Sequence, residues 1–155
     1  MKLYLVQHGD ALPKDVDPER PLSAKGCDDA VGMAAFFQSA GVSVDEVVHS
    51  GKTRAAQTAT LLAGAVWPGQ TPLRIEGLAP NDSTDHLLHA AEAAGGDLMA
   101  VGHMPFMGRM AARCLSGSQD GAQIAFEPGV VVCLERLEDG WQLNWMLRPS
   151  MIAGA

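Results

Sequence analysis

Leu3-Tyr4-Leu5-Val6 places four apolar residues in a row, and the run breaks at once on Gln7-His8-Gly9. An apolar run without alternation describes a strand covered on both faces, as inside a parallel sheet. A second run, Leu98-Met99-Ala100-Val101, also ends on polar chemistry, Gly102-His103, and the shorter Glu46-Val47-Val48-His49 leads to Ser50. Helical stretches separate these runs. Ser23 stands as an N-cap before Cys27, Ala30, Met33, Ala34 and Phe37, which repeat at helical spacing up to a stop at Gly41. Arg54 to Ala63 reads as a second helix and Leu73-Arg74-Ile75 as a short strand. Thr84 caps a helix from Asp85 to Ala94, ended by Gly95-Gly96, and Pro105 takes the first position of a helix reaching about Leu115. The C-terminal part differs: Val130–Leu134, a turn at Glu138-Asp139-Gly140, and Trp141–Leu147 form a hairpin pattern. Trp141 and Trp145, four apart, are expected on one face of the last strand as packing anchors. The prediction is α/β: a three-layer α/β/α arrangement with a mainly parallel sheet and an antiparallel C-terminal addition, in a single domain over residues 1–155.

Composition narrows the functions. With 47% hydrophobic and 19% charged residues the chain has the makings of a packed core, and its net charge of −7 argues against a nucleic-acid binder. Three scattered cysteines, Cys27, Cys114 and Cys133, suit a reduced cytoplasmic protein better than a disulfide framework or a zinc site. The apolar start is too short for a signal segment, and no stretch approaches the ~20 apolar residues of a membrane span.

In sheets of this kind, ligands bind outside the carboxyl ends of the strands. Three strands deliver polar groups there: Gln7-His8-Gly9, then His49-Ser50 with Arg54 one turn later, then Gly102-His103. Histidine and arginine converging from distant segments are suited to binding and attacking a phosphoryl group.

The same residues carry a resemblance. Leu5-Val6-Gln7-His8-Gly9-Asp10-Ala11 resembles the R-H-G signature of the histidine phosphatase superfamily, with Gln7 in place of arginine. Arg20-Pro21-Leu22-Ser23 with Gly26, Ser50 through Arg54-Ala55-Ala56-Gln57-Thr58, and Val101-Gly102-His103-Met104-Pro105 are similar to the later segments of that family, in order. The short length and Gly9-Asp10-Ala11 resemble its SixA-type phosphohistidine phosphatases. The resemblance implies a phosphoglycerate-mutase-like fold and a metal-independent, cofactor-free phosphatase in which His8 attacks phosphorus and is transiently phosphorylated. It implies Arg54 and His103 as the other catalytic groups, His103 acting as imidazolium or as an N–H donor, with Gln7, Gly9, Arg20 and Ser50 around the phosphate. It further implies a phosphorylated protein as partner, a histidine phosphotransfer domain or a phosphotransferase-system carrier; a small phosphorylated metabolite is the alternative.

Glutamine at position 7 brings a neutral amide where arginine would bring charge and a planar fork. Two readings follow: catalysis with Arg54, His103 and Arg20 or Lys52 compensating, or a non-enzymatic phosphate-binding module. Among the carboxylates, Glu76, Asp82 and Asp85 are the candidates for protonating an ester leaving group, and none stands in an assignable acid motif; this leans towards P–N substrates. Ser50-Gly51-Lys52-Thr53 mimics the end of a P-loop, but the required earlier glycine is Glu46. His86 and His89 lack a third metal ligand and read as a solvated face. Met99, Met104, Met107 and Met110 read as core and pocket lining, and Asp28 and Asp29 as helix-dipole partners. His49 stands near the site without an assigned role.

Overall fold

The computed structural model describes residues 1–153. Six strands form one sheet in the order β3-β2-β4-β1-β5-β6. These are β1 (Lys2–Gln7), β2 (Glu46–His49), β3 (Leu73–Arg74), β4 (Leu98–Gly102), β5 (Val131–Leu137) and β6 (Gly140–Leu147). The first four run parallel, and β5 and β6 add antiparallel on the β1 side. The helices are α1 (Ala24–Ala40), α2 (Thr53–Val66), α3 (Asp85–Ala93), α4 (Phe106–Ser116) and α5 (Pro149–Ala153). The architecture is the predicted α/β one.

Alternation along β1 shows how the sheet is covered. Leu3 and Leu5 point to the face carrying α3 and α4, where they meet Leu87, Phe106, Met107 and Met110. Tyr4 and Val6 point to the opposite face, against Met33 and Phe37 of α1 and Leu62 and Val66 of α2. Both pairs are almost wholly buried, which is why the run shows no polar break.

Local structure departs from the sequence reading in places that have physical causes. Ser23 caps α1, its hydroxyl accepting from Gly26 N at 3.0 Å and donating to Asp10 Oδ2 at 2.6 Å. Cys27, however, is exposed, and Gly26 takes the inward position. A Cβ on Gly26 would lie 2.1 Å from the Asp10 carbonyl, so only glycine lets the helix start touch the loop after β1. Asp28 and Asp29 lie beyond the first turn, and Asp29 pairs with Lys25 at 2.7 Å. Thr84 does not cap α3 through its side chain: the hydroxyl is buried and accepts from Arg113 at 2.9 Å, while Ser83 Oγ accepts from Asp85 N. Pro105 precedes α4 by one residue.

The largest correction concerns the tryptophans. Opposite Cys133 and Leu134, β6 presents Trp145 and Leu143, so Asn144 is an extra residue in the ladder. This bulge reverses the facing of everything beyond it. Trp141 therefore packs on the α3/α4 face and Trp145 on the α1/α2 face, its ring 5.9 Å from both Tyr4 and Phe37.

Candidate active site

Register alone brings the two predicted histidines together. Gln7 lies beside Gly102 in adjacent parallel strands, so His8 and His103 leave the same sheet edge side by side, with ring centroids 5.1 Å apart. His49 pairs with Val101, which sets Ser50 next to them from the other side of β4.

His8 is fixed in one tautomer. Its Nδ1 lies 2.7 Å from the Gly9 carbonyl, and a carbonyl only accepts; the ring proton is therefore on Nδ1 and Nε2 carries the lone pair. Burial, followed by the charges of Arg54 and Arg20, holds the ring below its ordinary pKa against the opposing pull of the Gly9 bond and Asp10. The imidazole is neutral at pH 7, with Nε2 unprotonated. Arg54, in the first turn of α2, donates from Nε to that lone pair over a long 3.3 Å. Its own pKa is lowered by burial and by Arg20, which leaves it a cation all the same.

Thr58 and Gln57, which the sequence pattern places only within the segment after Arg54, hold this arrangement in place. Thr58 is buried one turn after Arg54; its hydroxyl donates to the Arg54 carbonyl at 2.8 Å and accepts from Gly9 N at 3.0 Å. It thereby locks the loop carrying His8 to the helix carrying Arg54. Gln57 Oε1 accepts from Leu22 N at 2.8 Å and anchors the far end of the same loop. The i, i+4 spacing of Arg54 and Thr58, which sets both on one helix face, is the signal that finds the first of them.

His103 contrasts with His8. It is 2% exposed, its Nε2 is 2.7 Å from Ser50 Oγ, and its Nδ1 is buried without a partner. Burial, then the neighbouring His8, Arg54, Lys52 and Arg20, push its pKa down to about 3. Of the two expected forms of His103, these surroundings favour the neutral ring over the imidazolium, because a cation here faces desolvation and several positive neighbours at once. A neutral hydrogen-bonding His103 remains. Gln7 Oε1 is likewise buried and unpartnered. Rotating the amide by half a turn exchanges this acceptor for the two Nε2 donors with no other heavy atom moving.

Arg20 reaches the site from the loop that closes on itself through an Ala11–Leu22 bridge. It adopts φ 48°, unusual for a side chain, and its Nε donates to the Leu12 carbonyl at 3.1 Å. His49 supports the neighbouring turn: its Nδ1 accepts from Gly51 N at 3.0 Å, and Gly51 at φ 90° lies so close to Arg74 that a Cβ would fall 2.5 Å from Nε. No hydrogen bond among the described residues joins the acid candidates to His8, Arg54 or His103. Glu76 is exposed near Arg74, Asp82 accepts from Ala79 N at 2.9 Å within its own loop, and Asp85 pairs with Arg113. Among the described residues no group of three or more acidic, histidine or cysteine side chains is placed to hold a metal, and no helix is long and apolar enough to cross a membrane.

A four-stranded parallel core with two histidines at one strand edge and an arginine at the following helix start defines the phosphoglycerate-mutase-like class of α/β fold. The solved structure of the protein histidine phosphatase SixA complexed with tungstate superposes with a TM-score of 0.82, at 24% identity, over 97% of this chain and 99% of that one. No family model matches the chain. By sequence, an uncharacterised protein of Picosynechococcus sp. (strain ATCC 27264 / PCC 7002 / PR-6) is 35% identical over 118 residues, 72% of this chain and 71% of that one. The phosphohistidine phosphatase SixA of Escherichia coli (strain K12) is 25% identical over 159 residues, 96% of this chain and 94% of its own. The chain is a homologue of the phosphohistidine phosphatase SixA at 25% identity over nearly its whole length, and its structural neighbours are SixA and other members of the histidine phosphatase superfamily.

Proposed function

We propose that this protein is a phosphohistidine phosphatase working through a phosphorylated His8. The observation that carries the proposal is the state of His8: neutral, with Nδ1–H on the Gly9 carbonyl and the Nε2 lone pair beside the Arg54 cation. A nucleophile at phosphorus needs that tautomer and that charge. As the substrate phosphoryl group enters, Arg54 exchanges its long bond to Nε2 for charge-assisted bonds to the phosphoryl oxygens, which frees the lone pair for in-line attack. The Nε2–P bond forms while the substrate P–N bond breaks, its electron pair staying with the departing imidazole. Water then attacks the phosphorylated His8, releases inorganic phosphate and restores the ring.

Gln7, through its amide donors, Ser50, the neutral His103 and Arg20 complete the phosphate environment in this reading. Gly9 contributes the carbonyl that sets the tautomer. Charge in the site comes from Arg54 and Arg20, with Lys52 at the rim, so loss of the family's arginine at position 7 lowers the rate and leaves the chemistry in place.

The leaving group favours nitrogen over oxygen. An alkoxide needs an acid to protonate it, and none of Glu76, Asp82 and Asp85 is hydrogen-bonded to a residue of the site. A phosphohistidine whose second ring nitrogen is protonated expels a neutral imidazole and needs no such acid. A protein substrate is favoured by the relatives, which are a phosphohistidine phosphatase and a protein histidine phosphatase. Phosphate release from a phosphohistidine-bearing protein and from a phosphoserine peptide, measured side by side, tests the reading. The P–N substrate is expected to turn over at least about tenfold faster, a difference of ~1.4 kcal/mol in barrier. Faster hydrolysis of the ester contradicts it.

A further inference from the structure

Arg109, in the first turns of α4, is the one arginine of this chain whose side chain makes neither a hydrogen bond nor an ion pair among the described residues. Arg20, Arg54, Arg113, Arg136 and Arg148 all donate hydrogen bonds, and Arg74 lies against Glu76. Arg109 is nevertheless half-buried, because it lines a cavity of about 510 Å³ between α4 and the segment that follows it. Met104, 37% exposed while Met99, Met107 and Met110 are fully buried, forms another wall, with Gln119, Gln123 and Ile124 opposite.

This cavity adjoins the proposed catalytic centre along two stretches of chain. Met104 directly follows His103. The opposite wall runs on to Gly129, whose N–H lies 3.1 Å from the carbonyls of both Gln7 and His8. The wall is also held from behind, where Arg148 donates to the Ala125 carbonyl at 2.9 Å and pairs with Glu127 at 3.1 Å. The groove is therefore built on the same strand ends as the site. Its unpaired guanidinium, thioether and two amides are complementary to a carboxylate beside apolar and backbone groups. The surrounding protein carries a net charge of −7, so an acidic partner finds attraction here and repulsion over much of the rest of the surface.

We propose that this groove receives an acidic stretch of a protein substrate flanking its phosphorylated side chain, with Arg109 pairing to a carboxylate and Met104 covering an apolar side chain. The proposal rests on the phosphohistidine phosphatase reading above and adds the recognition of the partner. It is tested with two substrates, a histidine phosphotransfer domain phosphorylated on its histidine and free phosphoramidate, which is too small to fill the groove. For Arg109→Glu, KM on the phosphorylated domain rises about fivefold or more, and kcat/KM on phosphoramidate stays within about twofold. Arg109→Lys recovers part of the loss, and added salt raises KM for the wild type while narrowing its advantage over Arg109→Glu. The unchanged phosphoramidate rate also shows that the variant is folded. An unchanged KM on the phosphorylated domain, or an equal loss on both substrates, overturns the docking role while leaving the catalytic reading intact. A wild type active on phosphoramidate and inert on the domain has the same meaning. A wild type inert on both refutes the catalytic reading, and the docking role falls with it.

Discussion

The ends of β1 and β4 each present a histidine to the same sheet edge, 5.1 Å apart, and the surroundings make them opposites. At the β1 end, every neighbour of His8 works to present one atom: Gly9 takes the Nδ1 proton, Thr58 fixes Gly9 to α2, and Arg54 waits at Nε2. At the β4 end, His103 is buried deeper, bonded to Ser50, and left with an unpaired nitrogen. Sequence motif does not distinguish an attacking histidine from a supporting one. Burial and hydrogen-bond partners do, because they decide which nitrogen holds a lone pair and whether the ring can carry charge.

The sharpest way to break this contrast is to remove what serves His8 alone. In our account Arg54→Ala removes the cation beside the lone pair and at least two charge-assisted phosphoryl contacts, for a loss of kcat of about a thousandfold. A loss below tenfold in steady-state kinetics would separate Arg54 from the chemistry. Gln7→Arg acts in the other direction. Restoring a charged fork is worth ~1.5–3 kcal/mol, roughly a tenfold to hundredfold gain in kcat/KM on a phosphohistidine substrate. No gain would mean that the other cations already supply the field.

The smallest effect probes His103 through stability. Its pKa falls from an ordinary 6.5 to about 3 in the folded protein, so the unfolded chain binds the extra proton first as the medium acidifies. The stabilisation is complete above pH 6.5 and is lost as pH falls towards 3. His103→Gln keeps a neutral hydrogen-bonding side chain without that titration. Urea unfolding at pH 7 and pH 4.5 should show a smaller drop for the variant than for the wild type. An equal drop would place the acid sensitivity in other groups, His8 and His49 included.

Much of this was legible in the sequence because strong local signals coincided with global ones. Unbroken apolar runs stopped by His8 and His103 gave the parallel strands, and Ser23 and Gly41 marked the ends of α1. What stayed hidden depended on contacts across the fold. The bulge at Asn144 leaves no residue signature, yet it sends Trp141 and Trp145 to opposite faces. Gly26, unfavourable in a helix by propensity, is the position where the helix touches the Asp10 backbone. The bridging role of Thr58 and the solitary state of Arg109 exist only between segments far apart in the chain.

The central claim is that His8 becomes phosphorylated. Rapid quench of the protein mixed with a substrate labelled on its phosphohistidine, followed by peptide mapping, tests it most directly. We expect an acid-labile phosphoryl group on His8 that appears within the first turnover and decays with phosphate release, and neither label nor turnover in His8→Ala. Turnover that persists in His8→Ala, or a label that accumulates on another residue, would contradict the account.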